Sequence, residues 1–154
     1  MATWIPWGFY LLAWVASLLM YAFHFCSFPQ TLLLFVVFFS GGFQGLWVAA
    51  GHLLMPKKFA TAMGLKPSSS QIEIVAINLA IGVVSILSIT QSLLWITPVA
   101  LILIIFYAVY FYTYIKARLG RRRSKAAGHH SASMMYNSIT IALTLTLLLG
   151  FTYL

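Results

Sequence analysis

Glu73 is the only carboxylate side chain among the 154 residues, and that scarcity limits the chemistry the chain can do. Two-carboxylate hydrolysis and Mg²⁺-dependent phosphoryl transfer both need more than one acid, so composition excludes them. An ionisable group within a membrane segment is costly and marks a candidate functional site. Glu73 also has a structural role open to it. Ser70-Gln71-Ile72-Glu73 fits the S-x-x-E capping box, in which the Ser side chain bonds the Glu N–H and the Glu side chain reaches back. His52 is the residue that could draw Glu73 into chemistry. It falls about one turn before an apolar stretch ends, in the same leaflet as Glu73 and on a consecutive antiparallel segment. Such a pair could relay a proton, hold a headgroup or serve as acid and base, or it could be a structural hydrogen bond joining the hairpin.

Gln44, Asn78 and Asn137 are deeper polar residues, with Ser138, Thr140 and Thr144 near the last of them. Asn78 lies five residues beyond Glu73, about 140° around a helix. Bonds between neighbouring helices, on the order of 1 kcal/mol each, are the plain reading of these amides. The sharper one is a cavity lined by Gln44, His52, Glu73 and Asn78 and closed by Asn137. A bis-His haem needs two histidines at matching depth, but His24 falls at the outer end of the first stretch and His52 near the inner end of the second. His129-His130 has no carboxylate or thiol beside it, and Cys26 is the only cysteine, so no metal site is indicated and no cofactor is assigned. No Gly-rich phosphate loop and no Ser-His-Asp set is present.

The elements that must position these side chains are membrane spans. The chain is 62% hydrophobic and 6% charged, too poor in polar residues to coat a soluble core. Five apolar stretches, residues 5–23, 31–55, 72–90, 93–115 and 135–154, are each roughly 19 to 25 residues long. At 1.5 Å per residue each covers a hydrocarbon core of about 30 Å. The expected fold is therefore an all-α integral membrane protein, a single bundle of about five transmembrane helices. The first stretch lacks a basic n-region and small residues at its end, so it is read as a helix rather than a signal peptide.

All nine Lys and Arg fall in two connections. Lys57, Lys58 and Lys66 lie in residues 56–71; Lys116, Arg118, Arg121, Arg122, Arg123 and Lys125 lie in residues 116–134. Basic loops face the cytoplasm, which places the N-terminus inside and the C-terminus outside. The net charge of +8 then serves topology and anionic lipid rather than nucleic acid. Arg121, Arg122, Arg123 and Lys125 are candidate lipid-phosphate contacts.

Further expectations concern packing. Pro56 opens a short in-plane segment between helices two and three, with Phe59, Ala60 and Met63 on one side and Lys57 and Lys58 on the other. Gly41-x-x-x-Gly45 suits a close helix approach, within the monomer or in a homodimer. Trp4, Trp7 and Tyr10 suit the water–lipid boundary, and Tyr107, Tyr110, Phe111, Tyr112 and Tyr114 read as an aromatic belt.

The string Gly45-Leu46-Trp47, Gly51-His52, Pro56, Gly64, Ser69-Ser70-Gln71-Ile72-Glu73 and Asn78-Leu79-Ala80-Ile81-Gly82 resembles an uncharacterised family of small multi-pass bacterial membrane proteins, distantly similar to the DoxX-like group. The resemblance covers Gly45–Ser88. It implies a compact helical bundle in a bacterial inner membrane and singles out His52, Glu73 and Asn78. In the family pattern an acid follows a Tyr at the start of the last helix, where this chain has Tyr136-Asn137. The pattern also has Gly-His near the end of helix four, where this chain has Thr113-Tyr114. No activity comes with it.

Function is thus read as a structural or accessory component that binds lipid, with membrane lipids, a second copy or a larger membrane complex as partners. The alternatives are a small oligomeric transporter, or a membrane enzyme acting on a lipid-soluble substrate such as a quinone or isoprenoid at a His52/Glu73 site.

Overall fold

A computed structural model describes residues 4–23, 27–62, 71–121 and 130–153. Among these the chain is helical and holds no strand. Helix α1 is Ile5–Ala22. Helix α2 (Phe28–Val36), a π-helical segment (Val37–Phe43) and α3 (Gln44–Leu54) form one continuous second span. The short α4 is Pro56–Ala62, and α5 is Gln71–Leu87 with a 3₁₀ turn, Ser88–Thr90, at its end. Helix α6 is Leu93–Arg121 and α7 is His130–Tyr153. Among the described residues five segments are long and apolar enough to cross a membrane: Ile5–Ala22, Phe28–Leu54, Gln71–Thr90, Leu93–Lys116 and Ser133–Tyr153. The expected all-α membrane bundle is the fold observed.

Local sequence explains most boundaries. Pro6 and Pro29 sit in the first turns of α1 and α2, where the N–H they lack has no helical partner anyway. Pro29 moves the start of the second span to Phe28, ahead of the expected residue 31. Span four does not stop at Ile115; α6 continues through Lys116 to Arg121. Lys and Arg are good helix formers, and their charge is favourable at a helix C-terminus, so the helix runs on beyond the apolar stretch. Helix α7 likewise begins at His130, ahead of the expected residue 135.

Packing falls into pairs. Helix α3 and the π-helical segment lie against α5, α6 lies against α7, and α1 against α2. The first contact is close because of glycine. A Cβ at Gly45 would stand 2.9 Å from the Asn78 carbonyl oxygen and 3.2 Å from Gly82 Cα, both backbone atoms that cannot yield. One at Gly41 would stand 2.5 Å from Ser85 Oγ. The Gly41/Gly45 face is therefore used inside the monomer. A large apolar core includes Leu33, Val36, Leu103, Ile141 and Leu145, and a smaller one joins Val48, Phe59, Tyr114, Met134 and Met135.

Two expectations about aromatic residues are corrected. Tyr107 and Tyr114 are buried, and Tyr112 is exposed. Positions 107, 110 and 114 follow i, i+3, i+7 and so share one inward stripe, leaving Tyr112 to face out. Of Trp4, Trp7 and Tyr10 only Trp4 is exposed. Trp7 Nε1 donates to Ser133 Oγ (3.2 Å), and the Tyr10 and Thr144 hydroxyls share a hydrogen bond (2.8 Å), so both turn toward α7.

Candidate functional site

The polar residues expected to form one site divide into three places. Gln44 from the first turn of α3, Asn78 from the middle of α5 and Asn137 from α7 line a common cavity with Ser138, Tyr107 and Tyr110. Its volume is about 30 Å³. Gln44, Asn78, Asn137 and Ser138 are all buried. Asn137 Nδ2 donates to Gln44 Oε1 at 3.5 Å, the outer limit of a hydrogen bond. Asn78 Nδ2 donates within its own helix to the Ile74 carbonyl (2.8 Å), and Ser138 Oγ donates to the Met134 carbonyl (2.9 Å). The Tyr107 hydroxyl donates to the Ser40 carbonyl in the π-helical segment. Such segments interrupt the regular backbone ladder and are frequent at functional sites.

His52 lies elsewhere. Eight residues beyond Gln44, it is about 12 Å farther along the helix and does not line this cavity. It is 2% exposed, Gln71 lies beside its side chain, and its ring meets Phe59 edge-on at 5.2 Å between centroids. Helix α4 positions Phe59. Lys57 and Lys58 are exposed, whereas Phe59 and Ala60 are buried, so the amphipathic division of α4 is as the sequence suggests. The apolar side turns into the protein, though, with Phe59 against Gly51 and 5.0 Å from the Trp47 ring. Met63 lies outside the described residues.

Glu73 takes a third place. It is exposed, while Gln71, Val75, Asn78, Gly82 and Ser85 form the buried stripe of α5. Gln71 and Glu73 are two residues apart, about 200° around a helix, so only one of them can face α3. Gln71 does, and it occupies the position the sequence reading gave to Glu73. Ser70, the other half of the capping box, lies outside the described residues, as do Cys26, His24, Lys66, Arg122, Arg123 and Lys125; Arg121 closes α6.

Gln71 and Tyr107 are the polar residues the sequence reading passed over. Gln71 could have been found: it is seven residues before Asn78, two full turns, and so on the same face. Among the described residues no three His, Cys, Asp or Glu side chains cluster as metal ligands would. The polar groups of the cavity are amides and hydroxyls, which can hydrogen-bond a small neutral molecule.

Five apolar helices with amides and hydroxyls turned inward define a multi-pass integral membrane protein. The model of a family of unknown function, DUF6790, matches residues 3–153, and the chain belongs to that family. No curated protein and no solved structure matches it.

Proposed function

We propose that the protein is an accessory, lipid-binding component of a bacterial inner membrane, its N-terminus and basic segments cytoplasmic and its C-terminus outside. The observation that carries this reading is a groove of about 200 Å³ between α5 and α6, lined by Ser85 and the apolar Ala80, Ile81, Val84, Val99, Ile102 and Leu103. Consecutive helices of a hairpin usually pack along their length, but α5 and α6 touch little. The groove lies on two spans surrounded by hydrocarbon, so its occupant is the acyl chain of a bilayer lipid. The polar cavity, at about 30 Å³, falls far below the roughly 300–1,000 Å³ of small-molecule sites. Lys57, Lys58 and Lys116 are exposed. Together with Arg121, Arg122, Arg123 and Lys125 they would meet anionic headgroups at about 1 kcal/mol each. A larger complex or a second copy would meet the outward apolar faces. The distant DoxX-like kinship of Gly45–Ser88 belongs to this proposal and adds no activity to it.

Thermal unfolding in detergent, with phosphatidylglycerol or phosphatidylcholine added back, tests the reading. Phosphatidylglycerol should raise Tm more, and Lys57→Gln, Lys58→Gln and Lys116→Gln together should shrink the difference. Ala80→Trp, which fills the groove, should reduce stabilisation by both lipids. Equal stabilisation by both lipids, or indifference to Ala80→Trp, would count against the corresponding half of the proposal.

A further inference from the structure

We infer that the polar cavity between α3, α5 and α7 is a hydration site, binding one or two water molecules held chiefly by Gln44 and Asn137. A water needs about 10–15 Å³ of such space and two to four polar partners, and this cavity offers about 30 Å³ among Gln44, Asn78, Asn137 and Ser138. Asn137 is 1% exposed, and its Oδ1 has no hydrogen-bond partner. Its Nδ2 reaches Gln44 Oε1 only at 3.5 Å. Ser138, also on the cavity wall, satisfies its hydroxyl on the Met134 carbonyl four residues back. An amide oxygen cannot do this, because it accepts and does not donate. Asn137 Oδ1 therefore calls for a donor.

Charge and size select the ligand. The one acid of the chain, Glu73, is exposed on another face of α5, so a cation here would be buried among neutral groups at a large desolvation cost. A lipid headgroup or substrate is too large. Water donates to Asn137 Oδ1, bridges to Gln44 and fits the volume. Bound there, it joins the second span to the fifth and so links the α3–α5 pair to the α6–α7 pair.

Hydroxyl-radical footprinting of the intact protein in nanodiscs, read by mass spectrometry, tests this. Radiolysis of a bound water oxidises the side chains around it. Met134 and Met135 are neighbours of equal burial, 6% and 7% exposed, but only Met134 lines the cavity. Met134 should oxidise several-fold faster than Met135, and Asn137→Leu should bring the two rates together. Gln44→Leu should do the same and serves if Asn137→Leu does not fold. Equal rates in the unmodified protein would overturn the inference, as would a Met134 excess that survives in a folded variant.

Discussion

Replacing Gly51 by Ala should destabilise the protein, and the same replacement should stabilise it once Phe59 has been shortened. A Cβ on Gly51 would overlap three carbons of the Phe59 ring, far inside the roughly 3.5–4.0 Å of carbon contact. Phe59 is 1% exposed, with Trp47 and His52 against it, so the ring cannot turn aside within its pocket. It must leave, and α4 with it. Moving a buried Phe toward headgroups and water forfeits about 1.5–3 kcal/mol. Ala in place of Gly in the middle of α3 returns about 1 kcal/mol of helix propensity. The net loss for Gly51→Ala is about 0.5–2 kcal/mol. In a Phe59→Ala background the clash is absent and only the propensity gain of about 1 kcal/mol remains. The sign therefore reverses, and the coupling between the two positions is about 1.5–3 kcal/mol. Unfolding in mixed micelles of increasing SDS, followed by tryptophan fluorescence, measures all four members of the cycle, with Trp47 beside the altered contact. Additive effects, or destabilisation by Gly51→Ala in both backgrounds, would refute the docking of α4 on α3.

Other expectations follow from the same contacts. Gln71→Leu should cost about 1–2 kcal/mol because it takes a buried polar neighbour from the buried His52. Glu73→Gln, at an exposed position near a helix N-terminus, should cost about 0.3–1 kcal/mol; the same SDS titration ranks the two, and a larger loss for Glu73→Gln would contradict the assignment. Gly45→Ala meets backbone and should lose about 1–3 kcal/mol to overpacking, less the helix gain. Gly8→Ala and Gly150→Ala, with nothing within 4 Å of the added methyl, should gain up to about 1 kcal/mol each. Tyr107→Phe removes the hydrogen bond to the Ser40 carbonyl and should lower stability by about 0.5–1.5 kcal/mol, whereas Tyr112→Phe, at an exposed position, should leave melting unchanged.

The spans were legible because nothing but apolar length is needed to specify them, and the five appear where the apolar stretches lie. The sharing of one cavity by Gln44, Asn78 and Asn137 was also legible, as part of the larger site the sequence suggested. His52 and Glu73 were included for their chemistry, and neither lines that cavity. The scarcity of acids drew attention to Glu73, while two turns of helical arithmetic from Asn78 lead to Gln71 instead. The tyrosines of α6 were grouped by composition, although their spacing already separated the inward Tyr107 and Tyr114 from the outward Tyr112. The π-helical segment had no readable signal. Its Phe- and Gly-rich sequence suits an ordinary helix as well, and the contacts of Gly41 with Ser85 and of the Ser40 carbonyl with Tyr107 join residues far apart in the chain. The groove between α5 and α6 was equally hidden, since adjacent antiparallel spans are expected to pack.

The most direct test of the account is native mass spectrometry of the protein extracted gently from its own membrane. It should carry bilayer lipids, anionic species prominent among them, and should carry fewer of them as Ala80→Trp, with Glu73→Gln and His52→Ala leaving the lipid pattern intact. A retained non-lipid molecule of defined mass, lost on Glu73→Gln or His52→Ala, would contradict the account and make the His52 region a binding site.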